Sequence, residues 1–177
     1  MHDFKDSHFN GNSLILIGMP GAGKSTLGVL LAKEVGKDFV DTDVAIQVRE
    51  GKTLQEIVDQ DGYLALRRIE EAVLLESYFP NHVVATGGSV VYCEKGMAHI
   101  KKFGPVVFLD VSVEELKSRI HNYESRGIAR RPEQSLAELF QERQKLYRHY
   151  SDIIVDCNGK RMEQIIEKIL EALGTQR

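Results

Sequence analysis

Short apolar runs alternate along this chain with longer stretches of helical period. The runs at 13–17, 82–86, 106–110 and 153–156 are brief and mostly apolar, the pattern of strands in a buried parallel sheet. A fifth, at 39–43, opens on Phe39-Val40 and ends in Asp41-Thr42-Asp43. Helical spacing fills the gaps at 24–35, 45–49, 53–60, 63–78, 94–103, 112–121, 135–150 and 162–173. The punctuation agrees. Gly36 and Gly51 sit where helices stop. Thr53…Glu56, Ser112…Glu115 and Ser135…Glu138 have the spacing of capping boxes. Asp61-Gly62, Pro80-Asn81 and Gly104-Pro105 break the pattern between elements.

Strands alternating with helices predict an α/β fold: three α/β/α layers around a five-stranded parallel sheet. A chain of 177 residues suits one domain. We read residues 1–12 as a flexible polar tail and 13–177 as the domain. Residues 122–134 have no apolar period and carry Arg126, Arg130 and Arg131. A loop of that length in a compact domain is usually functional or disordered.

Candidate chemistry centres on Gly18-Met19-Pro20-Gly21-Ala22-Gly23-Lys24-Ser25. It follows a predicted strand and opens a predicted helix, the context a phosphate-binding loop needs. Glycines let main-chain N–H groups close around an anion, and the helix N-terminus adds its own unpaired donors. Gly21, Ala22, Gly23 and Thr26 therefore belong to the nucleotide site. Lys24 supplies charge for the β/γ-phosphates, and Ser25 a hydroxyl for Mg²⁺. Open parallel sheets bind ligands beyond the carboxyl ends of their strands. Asp41 and Asp43, Gly87-Gly88 and the region after Asp110 fall there.

Net charge is −3, which gives no reason to expect a nucleic-acid or membrane-surface binder. No apolar run approaches a bilayer span, and the N-terminus lacks the apolar core of a signal peptide. Cys93 and Cys157 stand far apart and read as packed thiols of a reduced, cytoplasmic protein. His82, His99, His121 and His149 have no ligand spacing between them.

The order of motifs resembles the shikimate kinase family of P-loop kinases. The residues are Gly18–Ser25, Asp41-Thr42-Asp43, Gly62 to Arg67 with Glu70, Gly87-Gly88, Arg130-Arg131-Pro132 and Arg143-Gln144-Lys145-Leu146-Tyr147. The resemblance spans about residues 14–156. It implies a lid, a helical substrate-binding region, and transfer of the γ-phosphate of ATP to shikimate with Mg²⁺. It further implies that Lys24 stabilises the transferring phosphate, and that Ser25 and Asp41 hold the metal. Asp43 would bind substrate hydroxyls and take the proton. Arg67 and Arg143 would hold the carboxylate, with Gly87 and Gly88 beside it. Arg131, with Arg130 second, would be the lid arginine on the phosphates, and Arg119 would flank the adenine. A monomer with a small anionic polyol as substrate is the expectation.

The sequence departs from the family pattern in three places. Ser89 stands where a third glycine is usual. Tyr63 and Leu66 replace the usual Glu and Phe. The lid reads Arg131-Pro132-Glu133-Gln134 where Arg-Pro-Leu-Leu is usual, so its alignment could slip by several residues. Two other readings therefore stay open: a related kinase for another hydroxylated or sugar acid, and a nucleotide-binding module without transfer. Simpler roles also stay open for single residues. Arg67 could pair with Glu71 one turn on. Asp43 could be a helix N-cap, and Gly87-Gly88 only a tight turn.

Overall fold

The structure is a computed structural model, and it describes residues 11–174. Most of the stretch read as a tail, residues 1–10, lies outside the described residues. Five strands form one parallel sheet: β1 (Leu14–Ile17), β2 (Asp38–Asp41), β3 (His82–Ala85), β4 (Val106–Asp110) and β5 (Ile153–Asp156), in the order β2-β3-β1-β4-β5. Every pair is parallel, with Leu16 level with Ala85 on one side and Val107 on the other. β1, at the centre, is fully buried, which is why its four residues are all apolar.

Among the described residues, eight α-helices surround the sheet or pack on its covering helices: α1 (Lys24–Val35), α2 (Thr42–Glu50), α3 (Leu54–Asp61), α4 (Tyr63–Glu76), α5 (Glu94–Ile100), α6 (Val113–Arg119), α7 (Leu136–Tyr150) and α8 (Met162–Ala172). Helices α1 and α8 pack together, α1 against β2 and β3 and α8 against β5. Gly28 of α1 allows a close approach to β2, since a Cβ there would lie 2.5 Å from the Phe39 ring. On α7, Tyr147 stacks on Phe108 of β4 at 5.1 Å between ring centroids. The Asp110 carboxylate, at the end of β4, receives Gln144 at 3.0 Å and Arg148 at 2.5 Å. Those contacts lock α7 to the carboxyl edge of the sheet.

A second, smaller core joins Ile46, Ile57, Leu66 and Val73 of α2, α3 and α4 to Ala129 of the arginine-bearing segment. That segment contains one 3₁₀ turn, Tyr123–Ser125, and is otherwise irregular. Gly127 lies at φ +66°, and a Cβ on it would come within 2.5 Å of the Gln55 main-chain nitrogen. Only glycine lets the segment pass so close to α3.

Boundaries moved where polar side chains took over main-chain bonds. β2 ends at Asp41, two residues earlier than read, because Asp41 N-caps α2 by accepting the Asp43 N–H at 2.9 Å. Thr53 and Ser135 form full capping boxes with Glu56 and Glu138. Ser112 caps α6, but Glu115 turns its carboxylate to Arg119 and the Gly159 N–H instead. Cys93 and Cys157 are free thiols. Among the described residues, no helix is long and apolar enough to cross a membrane.

Candidate active site

The carboxyl ends of β1, β2 and β3 open into one cavity of about 330 Å³. Its floor is the phosphate-binding loop. Gly18, Gly21 and Gly23 all have positive φ, the conformations that turn the main chain inward between strand and helix. Gly21, Gly23, Lys24, Ser25 and Thr26 line the cavity, while Ala22 is buried beneath. Lys24 folds back over the loop, donating to the Gly18 and Met19 carbonyls at 2.7 and 2.9 Å. Burial lowers its pKa to about 8, with the nearby Asp43 carboxylate opposing the fall.

Ser25 donates to Asp41 Oδ2 at 2.5 Å, so hydroxyl and carboxylate meet at the loop's end. Asp41 does not line the cavity; Asp43, in the first turn of α2, does. The N-cap is therefore Asp41, which leaves the Asp43 carboxylate free to face the cavity. Burial raises the Asp43 pKa to about 6, against the pull of Lys24.

Gly87 and Gly88 follow β3. Gly87 donates its N–H to Thr42 Oγ1 at 3.1 Å, and the Gly88 carbonyl accepts from Tyr147 at 2.6 Å. A Cβ on Gly87 would meet Glu70 Oε1 at 2.3 Å and Asp43 Oδ1 at 2.7 Å. One on Gly88 would meet Arg143 Nη1 and Pro20 Cδ, each at 2.8 Å. Both glycines are needed because functional side chains crowd onto them, a stronger constraint than a tight turn.

Arg143, on α7, is fully buried and lines the cavity. Its Nη2 donates to the Ala129 carbonyl at 2.7 Å, and its Nε has no partner. Arg67, on α4, stands behind this wall. Its guanidinium lies 3.5 Å above the centroid of Tyr92, its Nη2 reaches the same Ala129 oxygen at 3.3 Å, and its Nε is also unpartnered. Arg67 has turned toward Arg143 and Tyr92, away from the helix-surface pairing with Glu71 that its spacing allowed. Two guanidiniums around one neutral oxygen leave cationic donors buried and undersatisfied, the setting of an anion site.

Arg119 lines the cavity beside the loop, pairs with Glu115 and points at the Gly21 and Ala22 carbonyls at 3.5 Å. The structure does not bring Arg131 to this cavity. Its side chain is 62% exposed and pairs with Glu142 at 3.0 Å, and Arg130 pairs with Glu124 beneath Tyr123. Both line a separate groove against α3. Arg126 lines the phosphate cavity in their place. It opens Arg126-Gly127-Ile128-Ala129, an arginine, a turn residue and two buried apolar residues. That is the order of Arg-Pro-Leu-Leu, displaced five residues from the Arg131-Pro132 pair. Glu70, Ser89 and Ala129, not singled out as site residues from sequence, also face the cavity.

A parallel sheet, a phosphate loop and a cavity holding lysine, carboxylate and buried guanidinium define a P-loop phosphotransferase of small molecules. The sequence model described as "SKI: Shikimate kinase" matches residues 20–174. A shikimate kinase of Pseudomonas entomophila is 38% identical over 164 residues, covering 91% of this chain and 95% of its own. A structure of shikimate kinase from Acinetobacter baumannii in complex with shikimate superposes with a TM-score of 0.84 at 31% identity, covering 93% of this chain and 94% of that one. Shikimate kinase from Aquifex aeolicus gives 0.77 at 32% identity, covering 92% and 96%. This chain belongs to the shikimate kinase family. A gluconokinase from Sinorhizobium meliloti, at 23% identity and a TM-score of 0.54, covers 94% of this chain and 93% of its own and shares the fold alone.

Proposed function

We infer that this chain phosphorylates shikimate, taking the γ-phosphate of ATP and releasing ADP. The observation that carries the reading is one cavity in which Lys24, Asp43 and Arg143 face each other above the phosphate loop. A small carboxylated polyol needs guanidinium for its carboxylate and an acceptor for its hydroxyls, and both stand within reach of the transferring phosphate.

The loop amides and Lys24 cradle the triphosphate, and Arg119 flanks the base. Asp43 takes the proton of the attacking hydroxyl as its oxygen bonds to the γ-phosphorus and the bond to the bridging oxygen breaks. Arg143 and Arg67 hold the acceptor carboxylate, exchanging the Ala129 carbonyl for it. Gly88 turns its N–H to the acceptor. Arg126 supplies lid charge to the phosphates, and the segment 122–134 moves to admit substrate. Ser25 and Asp41 offer two oxygen donors, which fits Mg²⁺: that ion takes one or two protein ligands and completes its shell with phosphate and water. Bound there, it would neutralise charge on the phosphates. The working unit is a monomer.

The test is ADP release with shikimate, gluconate or no acceptor, in wild type and Asp43→Asn. Release that depends on shikimate and is lost in Asp43→Asn is expected. Acceptor-independent release, or a preference for gluconate, would overturn the reading.

A further inference from the structure

We propose that Ser89 is a positioning residue of the acceptor site: its hydroxyl holds Glu70 so that the other carboxyl oxygen faces the cavity beside Asp43, placed to accept a substrate hydroxyl. The proposal rests on the acceptor site inferred above and concerns a residue that departs from the family's usual glycine.

Glu70 is 3% exposed on α4. Its Oε2 accepts the Ser89 hydroxyl at 2.5 Å, while its Oε1 has no partner. The free oxygen is aimed. The place a Gly87 Cβ would occupy lies 2.3 Å from Glu70 Oε1 and 2.7 Å from Asp43 Oδ1, so both carboxylates converge over Gly87. Glu70, Ser89, Asp43 and Gly87 all line the cavity. Two acceptors converging on one side of a bare main chain suit an acceptor with more than one hydroxyl.

The serine has no competing local task. It sits at φ −92° and ψ −2°, an ordinary backbone that imposes no side chain. It precedes the 3₁₀ turn Val90–Tyr92, where a serine often caps, yet its side chain makes no capping bond. The hydroxyl is committed to Glu70.

Charged and titratable groups approach Glu70 from several elements. Asp43 faces it from α2, Arg67 from its own helix, and Arg143 and Tyr147 from α7; Cys93 approaches from the turn before α5. Burial pushes Glu70 up to about 7, and the Asp43 carboxylate pushes the same way. Ser89, Arg143 and Arg67 oppose them. A donor to a carboxylate favours its ionised form, so removing that donor moves the titration upward.

The experiment titrates the side-chain carboxyl ¹³C resonances of the full chain, with Glu70→Gln assigning Glu70. It adds the pH profile of kcat/KM for shikimate and the KM for ATP, in wild type, Ser89→Ala and Ser89→Thr. In Ser89→Ala, Glu70 is expected to titrate about one pH unit higher. The acidic limb of the shikimate profile should follow it, with the KM for ATP unchanged. Ser89→Thr keeps the hydroxyl and should titrate with wild type; should its methyl unfold the chain, Ser89→Ala decides alone. A Glu70 titration in Ser89→Ala that superimposes on wild type overturns the proposal. So does an acidic limb that moves while the Glu70 resonance does not. Wild type without shikimate turnover would overturn the proposed function instead, and the resonance titration would still decide the role of Ser89.

Discussion

Arg67 and Arg143, from helices far apart in the chain, direct their Nη2 groups at one oxygen, the main-chain carbonyl of Ala129, at 3.3 and 2.7 Å. A neutral carbonyl is a weak counterpart for two guanidiniums, and both Nε atoms are left without partners. A carboxylate has two oxygens and a full charge, so it matches this donor set better. Arg67→Ala is expected to raise the KM for shikimate by about 10- to 100-fold, the worth of one charge-assisted hydrogen bond. The KM for ATP should hold. Steady-state kinetics with each substrate varied in turn checks it, and equal increases in both constants would count against a carboxylate role.

Arg126 and Arg131, on the segment over the cavity, separate cleanly. Arg126 lines the phosphate cavity and its charge acts on Lys24 and Asp43. Arg131 is mostly exposed and paired with Glu142. Arg126→Ala should lower kcat by roughly 10²-fold or more, since charge supplied to a transferring phosphoryl group acts in the transition state. Arg131→Ala should leave kcat nearly unchanged, because an exposed ion pair contributes about 0–1 kcal/mol. Comparable losses in both variants would return the lid role to the Arg-Pro pair.

What was legible in the sequence was what is encoded locally. The phosphate loop needs only an apolar strand, glycines and a helix start, all contiguous from Leu14 to Lys24, and the structure places them as read. Asp43 was legible as a cavity acid, but which aspartate caps α2 depended on one hydrogen bond from its N–H to Asp41. Arg126 was hidden because no period marks an irregular segment. Its place follows from a glycine at positive φ passing α3 and from burial of Ile128 and Ala129. The turn-plus-apolar pair after Arg126 was the signal available. The Ala129 contact could not be read at all, since every residue has a carbonyl and only the tertiary fold selects one.

Gly87 has no room for a side chain. A Cβ there would press on Glu70 Oε1 and Asp43 Oδ1. Gly87→Ala is expected to splay the two carboxylates and cost at least about tenfold in kcat/KM for shikimate, on the scale of small misplacements near the chemistry. Nucleotide binding should survive, because the phosphate loop is untouched. Calorimetric titration with ATP and with shikimate distinguishes the two, and unimpaired shikimate affinity would show that the crowding is relieved by harmless rotation.

Asp43 links activity to stability through its proton. Its pKa stands near 6 in the folded chain, above the ordinary value of 3.8, because burial disfavours the charge. Between those values the folded state holds more protons than the unfolded one, so stability falls as pH rises through that window. The penalty is absent below about pH 4 and complete above about pH 6. Asp43→Asn removes the buried charge. It should therefore raise the melting temperature at pH 7.5 and change it little at pH 4. A shift of this size corresponds to on the order of 1–3 kcal/mol, and each kcal/mol moves the midpoint of a chain this long by about 2–4 °C. The same substitution should abolish phosphoryl transfer, and the wild-type kcat at saturating shikimate should fall as pH drops below about 6 with the loss of the base form. A variant both more stable and inactive is the signature of a carboxylate held for function against the preference of the fold. Thermal melts at the two pH values decide the point, since a destabilised variant at pH 7.5 would mean that Asp43 is held as a structural partner of Lys24.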